Sequence, residues 1–481
     1  MKFWGISANN HDAAISVVED GEILFAGHSE RYSRIKNDSE LNDGLIKDAL
    51  NYGGNPDVVI YYEKPWLRKL RNFLYGDWTE STKKIRTTVF DKPYKTVSHH
   101  HSHAANGYFT SKFTSASILV ADSAGEFETF SIWAGEKGKL KKVRSCRYPR
   151  SLGLFYSAFT ERCGLKPNEE EYIMMDLAPL GNKNIHLRDI KELMLSNLRT
   201  GKPNFHNGCK WYKPENDDVE NIAATVQYLF NTFMIAECRW IEKNLPSKNL
   251  VLSGGCALNC ITNTEIAEKT NFRNIWIPSN PGDAGSSLGA IAAYTGEHLF
   301  WRHPYLGYEI KGKYPVESAL ALLLKGELVG IANGRAEFGP RALGNRSLFM
   351  DPRLLKAKDI ITSYKNREKF KPFAPVILEE YADEYFEMPV LQTPYMKFSV
   401  KCKQPEKFPA IVHIDETSRI QTVNDVQNPG LYNLLKKFHR KTNCPMLLNT
   451  SLNLAGEPLV NTESDAKNFE ERSGIKVLLS D

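Results

Sequence analysis

"KFWGISANNHDAAISVVEDGEILFAGHSE", residues 2–30, reads as a strand, a polar loop, a second strand, an Asp20-Gly21 turn and a third strand. "SILVADSAGEFETFSIWAGEKGKLKKVRSCR", residues 117–147, repeats the plan: a strand running into Asp122, a loop, a strand, a Gly-containing turn and a strand. Between the two lie the apolar "DVVIYY" at 57–62 and mainly helical or irregular sequence. A duplicated strand-and-hairpin start, each with a polar residue leaving its first strand, predicts two similar subdomains facing each other across a ligand cleft. The competing reading is two unrelated β-meanders.

That layout belongs to the actin-like ATPase superfold, an α/β architecture. Working outward, 219–245 has a helical pattern, and "NLVLSGGCALN" at 249–259 reads as a buried strand entering a glycine pair. Gly254 and Gly255 would let the backbone come close to a phosphate or nucleotide, although a double glycine after a strand is a weak signal alone. "IPSNPGDAGSSLGAIAAY" at 277–294 reads as a turn entering a small-residue helix, with Asp283 near its start, where an Asp is commonly only a cap. Composition changes over 297–315, "EHLFWRHPYLGYEIKGKYP", which fits a boundary between a first domain of residues 1–300 and a second α/β domain of 301–481.

"TVSHHHSHAAN", residues 96–106, holds four of the chain's twelve histidines. In a helix, His99 and His103 stand one turn apart on one face, the spacing that lets two imidazoles share a metal ion; spacing alone leaves a structural or surface role equally open.

The 481 residues suffice for two or three domains, and 42% hydrophobic with 25% charged residues is ordinary for a globular protein. A net charge of +5 carries no dense basic tract; "LRKLRNF" at 67–73 reads better as a solvated helix face than as a nucleic-acid site. Eight scattered cysteines without a CxxC pair, no signal-peptide core and no apolar run of membrane length lead to the expectation of a cytoplasmic protein.

Taken together, the longer motifs resemble the O-carbamoyltransferase family, which includes the carbamoyltransferases of nodulation factors and of antibiotics such as tobramycin. In the first domain the resemblance rests on "HDAAISVVEDGEILFAGHSERYSR", "HHHSHAA", "VADSAGE", "LSGGCALN" and "PGDAGSSLGA". In the second it rests on "GRAEFGPRALGNRS", "NREKFKPFAP", "TSRIQTV" and "LLNTSLNLAGEPLV". It implies a first domain like the tRNA threonylcarbamoyl transferase and a second like the synthase of threonylcarbamoyl-adenylate. The second would turn carbamoyl phosphate and ATP, with Mg2+, into carbamoyl-adenylate. The first would pass the carbamoyl group to a hydroxyl of a small acceptor.

By the same resemblance His99, His103, Asp122 and Asp283 are expected to hold a metal, Fe2+ first and Zn2+ or Mn2+ as alternatives, with His11 as the base of the transfer step. Gly254, Gly255 and Asn259 are expected at the nucleotide. In the second domain the anions call for Arg341 and Arg346 as catalytic groups, on backbone made flexible by Gly339 and Gly344. Lys365, Arg367, Lys371, Thr417, Arg419, Asn449, Thr450, Ser451 and Asn453 would bind ATP and carbamoyl phosphate. His100 and His101 receive no task. One departure is "YIMMDLAPLG" at 172–181, where much of the family reads "KVMGLAPYG"; the missing lysine and the added Asp176 put nucleotide contacts there in question.

The alternatives are a tRNA threonylcarbamoyl transferase, which lacks the second domain, and a sugar-kinase-like ATPase, which binds Mg2+–ATP without imidazoles. The acceptor stays open among sugars, antibiotic-like molecules and a modified nucleoside. A monomer or homodimer is expected, with no membrane partner and nucleic acid disfavoured.

Overall fold

Three strands form where the opening stretch predicts them: β1 (Lys2–Ser7), β2 (Ala14–Glu19) and β3 (Glu22–His28). The computed structural model describes residues 1–76, 94–215, 217–365 and 373–481, the side chain of residue 365 excepted. β1 pairs antiparallel with β2 from Lys2↔Glu19 to Ser7↔Ala14 and parallel with β4 (Val58–Tyr61), which pairs parallel with β5 (Lys95–Thr96). The order is β3-β2-β1-β4-β5.

The second copy is β6 (Ser115–Ala121), β7 (Glu128–Glu136), β8 (Lys139–Arg147), β9 (Asn249–Ser253) and β10 (Asn274–Trp276), in the order β10-β9-β6-β7-β8. β6 pairs antiparallel with β7 and parallel with β9, and β9 parallel with β10, so sense repeats along with order. Even the hairpin turns agree: Asp20-Gly21 has φ of 49° and 81°, and Lys137-Gly138 has 47° and 78°. Two positive φ values in a two-residue loop match the right-handed twist of the strands. The duplication is real, and the fold is actin-like.

Between the two sheets lie two helices, Ser286–Thr295 against β1 and β2, and His99–Thr110 against β6 and β9. They touch each other backbone to side: a Cβ on Gly289 would lie 1.9 Å from the Ser102 carbonyl oxygen, and one on Gly5 of β1 1.8 Å from that of Ser287. Small residues at these positions bring the helix starts close together, which is where the candidate site lies. The outer strand β8, "KLKKVRSCR", is mostly exposed and basic, a composition that blocks edge-to-edge pairing.

The chain forms two units, Met1–Ile23 with Asn55–Phe300, and Leu24–Gly54 with Trp301–Asp481. The second carries a six-stranded mixed sheet in the order 421–423, 374–378, 446–451, 346–350, 329–332, 477–478. Ile310, Ala332, Leu348, Leu452, Val460, Phe469 and Val477 form a core beneath it. The sequence reading assigned 24–54 to the first domain; the structure places it in the second unit. The reason is anchoring that local sequence does not show: Tyr52 Oη accepts the Glu309 N–H at 3.1 Å, and Arg335 donates to the Leu24 carbonyl at 2.8 Å. Among the described residues, no helix is long and apolar enough to cross a membrane.

Candidate functional site

The helix His99–Thr110 starts after Ser98, whose side chain makes no cap bond. Glu126 takes that place: both its oxygens lie 3.1 Å from the His99 amide, and Oε1 also accepts the Lys64 N–H at 2.8 Å. A buried carboxylate at a helix N-terminus satisfies amides that would otherwise be orphaned and complements the dipole. Asp122 leaves the end of β6 with Oδ1 tied to the Ser123 N–H at 2.8 Å, so that Oδ2 is the oxygen turned toward the histidines. Asp283 begins the short 3-10 turn Asp283–Gly285 that feeds the helix Ser286–Thr295.

These four side chains converge. His99 Nε2 lies 3.0 Å from Asp122 Oδ2 and 3.6 Å from Asp283 Oδ1; His103 Nε2 lies 3.3 Å from each of the same oxygens. All four residues are buried. Burial opposes charge on every one of them, yet mutual attraction outweighs it: His103 is raised to about 9, His99 is raised, Asp283 falls to about 2 and Asp122 lies well below the carboxylate range. The two Nε2 atoms are 3.0 Å apart, so protons on both would repel, whereas one cation would satisfy both lone pairs and both carboxylates. Atoms ~2.0–2.2 Å from one metal stand roughly 3–3.5 Å from each other, close to the 3.0–3.6 Å of the His–His and His–Asp pairs. The donor set fits a transition metal.

Several residues around this set were not legible in the sequence. The other ring nitrogen of His103 meets Ser286 Oγ at 3.1 Å, and His99 Nδ1 faces the buried Glu63 carboxylate at 4.0 Å. Asp283 Oδ2 accepts from Tyr62 Oη and Asn10 Nδ2, each at 3.4 Å. Such outer partners orient metal ligands. Tyr62 and Glu63 follow β4, Asn10 lies in the loop after β1 and Ser286 opens a helix, so only the fold brings them together. His11, partly exposed, stands beside them with Nε2 3.7 Å from Asp283 Oδ2 and Nδ1 3.0 Å from Asp12 Oδ2. Partial burial disfavours the charged ring, but Asp283 and then Asp12 outweigh it and raise His11 to about 10. Both carboxylates therefore favour the protonated ring.

The two unassigned histidines have structural work. His100, buried and held neutral first by burial and then by His99 and His103, meets Ser131 Oγ at 2.7 Å through Nδ1. His101 stacks on Trp133, ring planes 9° apart and centroids 5.3 Å.

Gly254, at φ 86°, brings the backbone against β6: a Cβ there would lie 2.2 Å from the Ala121 carbonyl oxygen, and one on Gly255 3.1 Å from Asp122 Oδ1. Asn259 spends its amide otherwise, capping the helix Cys260–Lys269 through the Thr262 N–H at 3.1 Å and donating to Gln227 at 3.0 Å.

In the second unit Arg346 departs from expectation. It is 0% exposed, and its five N–H groups are filled by the carbonyls of Asn461, Asn333, Gly334, Asn345 and Tyr308 at 2.8–3.2 Å. A guanidinium saturated by backbone has no donor left for an anion; Arg346 is a structural latch. Flexibility at the glycines is corrected too. Gly344, at φ 126°, donates to Ser347 Oγ at 2.9 Å, and its carbonyl accepts from Tyr314 Oη at 2.9 Å. Glu337 Oε1 receives the N–H groups of Leu343, Asn345 and Arg346. Asn449 donates to the Ala342 carbonyl at 3.1 Å, so the "GPRALGNRS" loop is held rigidly over the 446–451 strand that also carries Thr450 and Ser451. Arg341 is half-buried at the turn of this loop. Thr417 Oγ1 donates to Asp415 at 2.7 Å and lies on one short strand with Arg419, while Asn453 closes a turn onto the carbonyls of Leu454 and Glu457. Arg367, Lys371 and the side chain of Lys365 lie outside the described residues.

Two family models match this chain. Residues 45–292 match the family model for the carbamoyltransferase N-terminus, and 320–481 the one for the carbamoyltransferase C-terminus. The nodulation protein NolNO of Sinorhizobium fredii is 30% identical over 95% of this chain and 76% of its own. The 3'-hydroxymethylcephem-O-carbamoyltransferase of Streptomyces clavuligerus is 27% identical over 96% of this chain and 94% of its own. Among solved structures, component A of the Acidaminococcus fermentans (R)-2-hydroxyglutaryl-CoA dehydratase aligns at 15% identity over 61% of this chain and 97% of that one, with a TM-score of 0.36. So remote a likeness carries no weight, and the fold assignment rests on strand order.

Proposed function

The chain belongs to the carbamoyltransferase family, and from that premise we propose that it is an O-carbamoyltransferase working in two stages. In the second unit, carbamoyl phosphate loses phosphate to water and the resulting carbamate attacks the α-phosphorus of Mg2+-bound ATP, giving carbamoyl-adenylate and pyrophosphate. In the first unit, an acceptor hydroxyl attacks the carbamoyl carbon and AMP leaves. The acceptor is a small hydroxylated molecule: a sugar, an antibiotic-like compound or a nucleoside.

The observation that carries this reading is the buried His99, His103, Asp122 and Asp283 set with His11 beside it. These four residues would hold Fe2+, or Zn2+ or Mn2+, and a cation there supplies Lewis-acid polarisation of the carbamoyl carbonyl. His11 would take the proton of the attacking hydroxyl. It can do so only while the charge of Asp283 is offset, since that carboxylate holds its proton in place. Gly254, packed against the Ala121 carbonyl, and Gly255, beside Asp122 Oδ1, are assigned to the adenylate from the sequence reading. In the second unit Arg341, not Arg346, is the arginine assigned to the anions, with Arg419, Thr417, Thr450 and Ser451 as further contacts. Lys365, Arg367 and Lys371 are assigned to the same anions from the sequence resemblance.

The test is incubation with labelled carbamoyl phosphate, Mg2+–ATP and a panel of hydroxyl compounds, after anaerobic loading with Fe2+. Pyrophosphate release that depends on carbamoyl phosphate, with label in an acceptor ester, is expected. Transfer of the ATP γ-phosphoryl group to a sugar, indifferent to carbamoyl phosphate, would instead establish a kinase.

A further inference from the structure

"HSERYSR", residues 28–34, has no part in the two-stage scheme, yet the structure builds it into the second unit. Its longer side chains close on two pieces of that unit, His28 and Arg31 on residues 338–339 and Arg34 on 458–459. His28, buried, packs on Phe338 with ring centroids 4.9 Å apart. Arg31, 3% exposed, donates from Nη2 to the Gly339 carbonyl at 2.8 Å, across 308 residues of sequence. Arg34 donates to the carbonyls of Pro458 and Leu459.

Phe338 and Gly339 lead directly into Pro340 and Arg341. The far side of this loop is fixed by Glu337, Asn449 and Tyr314, which hold residues 342–346. Arg31 supplies a bond at the near side. A charge-assisted bond from a buried guanidinium is stronger than a neutral one, and losing it strands a carbonyl at the turn.

We propose that Arg31 is a positioning residue of this loop: by holding the Gly339 carbonyl it sets the direction in which Arg341 leaves the backbone, and hence the affinity for the anionic substrate. The proposal rests on the reading that Arg341 meets carbamoyl phosphate or ATP. A lysine would keep the charge but, as a flexible point donor, would not fix the carbonyl in place.

The experiment uses the full chain with Arg31→Lys, and with Arg34→Lys as a variant loosening the same motif elsewhere. Carbamoyl phosphate-dependent exchange of pyrophosphate into ATP is measured, and amide hydrogen exchange is followed across 339–345. Arg31→Lys should raise the KM for carbamoyl phosphate about tenfold or more with kcat within about threefold, because misplacing a substrate-binding group by an ångström weakens binding steeply. It should speed amide exchange in 339–345, whereas Arg34→Lys should do neither. Equal KM values in Arg31→Lys and wild type, or the same rise in both variants, would overturn the proposal. Should Arg31→Lys not fold, His28→Ala, which removes the ring packed on Phe338 next to Gly339, is expected to give the same shift. A wild type without pyrophosphate exchange would remove the adenylation reading; the positioning of the loop then stands or falls on amide exchange alone.

Discussion

Asp283 divides its two oxygens between two tasks: Oδ1 faces His99 and His103, and Oδ2 faces Tyr62, Asn10 and His11. An amide in its place keeps the shape but replaces one oxygen by a donor and removes the charge. Asp283→Asn should therefore cut the metal content of anaerobically prepared protein from about one per chain to under about a tenth, while Tyr62→Phe, an outer partner only, should weaken metal binding by about 10-fold to 100-fold. Elemental analysis and competition with a chelator decide it; equal metal in Asp283→Asn and wild type would remove Asp283 from the ligand set. Arg346 leads to a different kind of prediction. Its loss removes the guanidinium donors from five carbonyls, those of Asn461 and Asn333 in buried bonds, so Arg346→Met should cost about 3–5 kcal/mol of stability, visible as a lowered denaturant midpoint. A sequence shows where a guanidinium is, not what already fills its donors. That is why nothing in the sequence marks Arg346 as a group bonded to backbone.

At the scale of elements, the helix pair sets how closely the ligands meet. Gly289 faces the Ser102 carbonyl, one residue from His103, and a methyl group there would overlap it. Gly289→Ala should destabilise by about 1–3 kcal/mol and push the His99–His103 turn away from Asp283, lowering metal affinity as well as the thermal midpoint. Glu126→Gln tests the same helix from its end: the charge facing the His99 amide is removed, with an expected cost of about 1 kcal/mol. A circular dichroism melt unchanged by either substitution would contradict the packing argument. Much of this element was readable beforehand, because His99 and His103 follow a local period, and Asp20-Gly21 announces its hairpin. Glu126, Glu63 and Ser286 were not, since each acts across a long stretch of sequence on a partner that no local pattern specifies. The segment 24–54 is the same lesson on a larger element: it follows β2 in the chain but takes its anchors, Arg31, Arg34 and Tyr52, in the second unit.

For the whole molecule, the two-stage proposal makes the chemistry separable. His11 lies in the first unit and Arg341 in the second. His11→Ala should release pyrophosphate at within about threefold of the wild-type rate yet form no carbamoylated acceptor, because a missing general base costs about 10²–10⁴-fold only in the step it serves. Arg341→Ala should lose pyrophosphate release by a comparable factor, since adenylyl transfer depends on neutralised phosphates. Equal loss of pyrophosphate release in both variants would refute the division of labour. Mixing the two variants then asks how the intermediate travels. Carbamoyl-adenylate is a mixed anhydride exposed to hydrolysis once in water, so an enzyme that released it would waste ATP. The mixture is accordingly expected to make well under about a tenth of the product that wild type makes at equal active-site concentration, while consuming ATP at the rate set by the His11→Ala protein. Full complementation, suppressed by a scavenger of free adenylate, would show instead that the intermediate diffuses and that fusion of the two domains serves only to keep them in equal number.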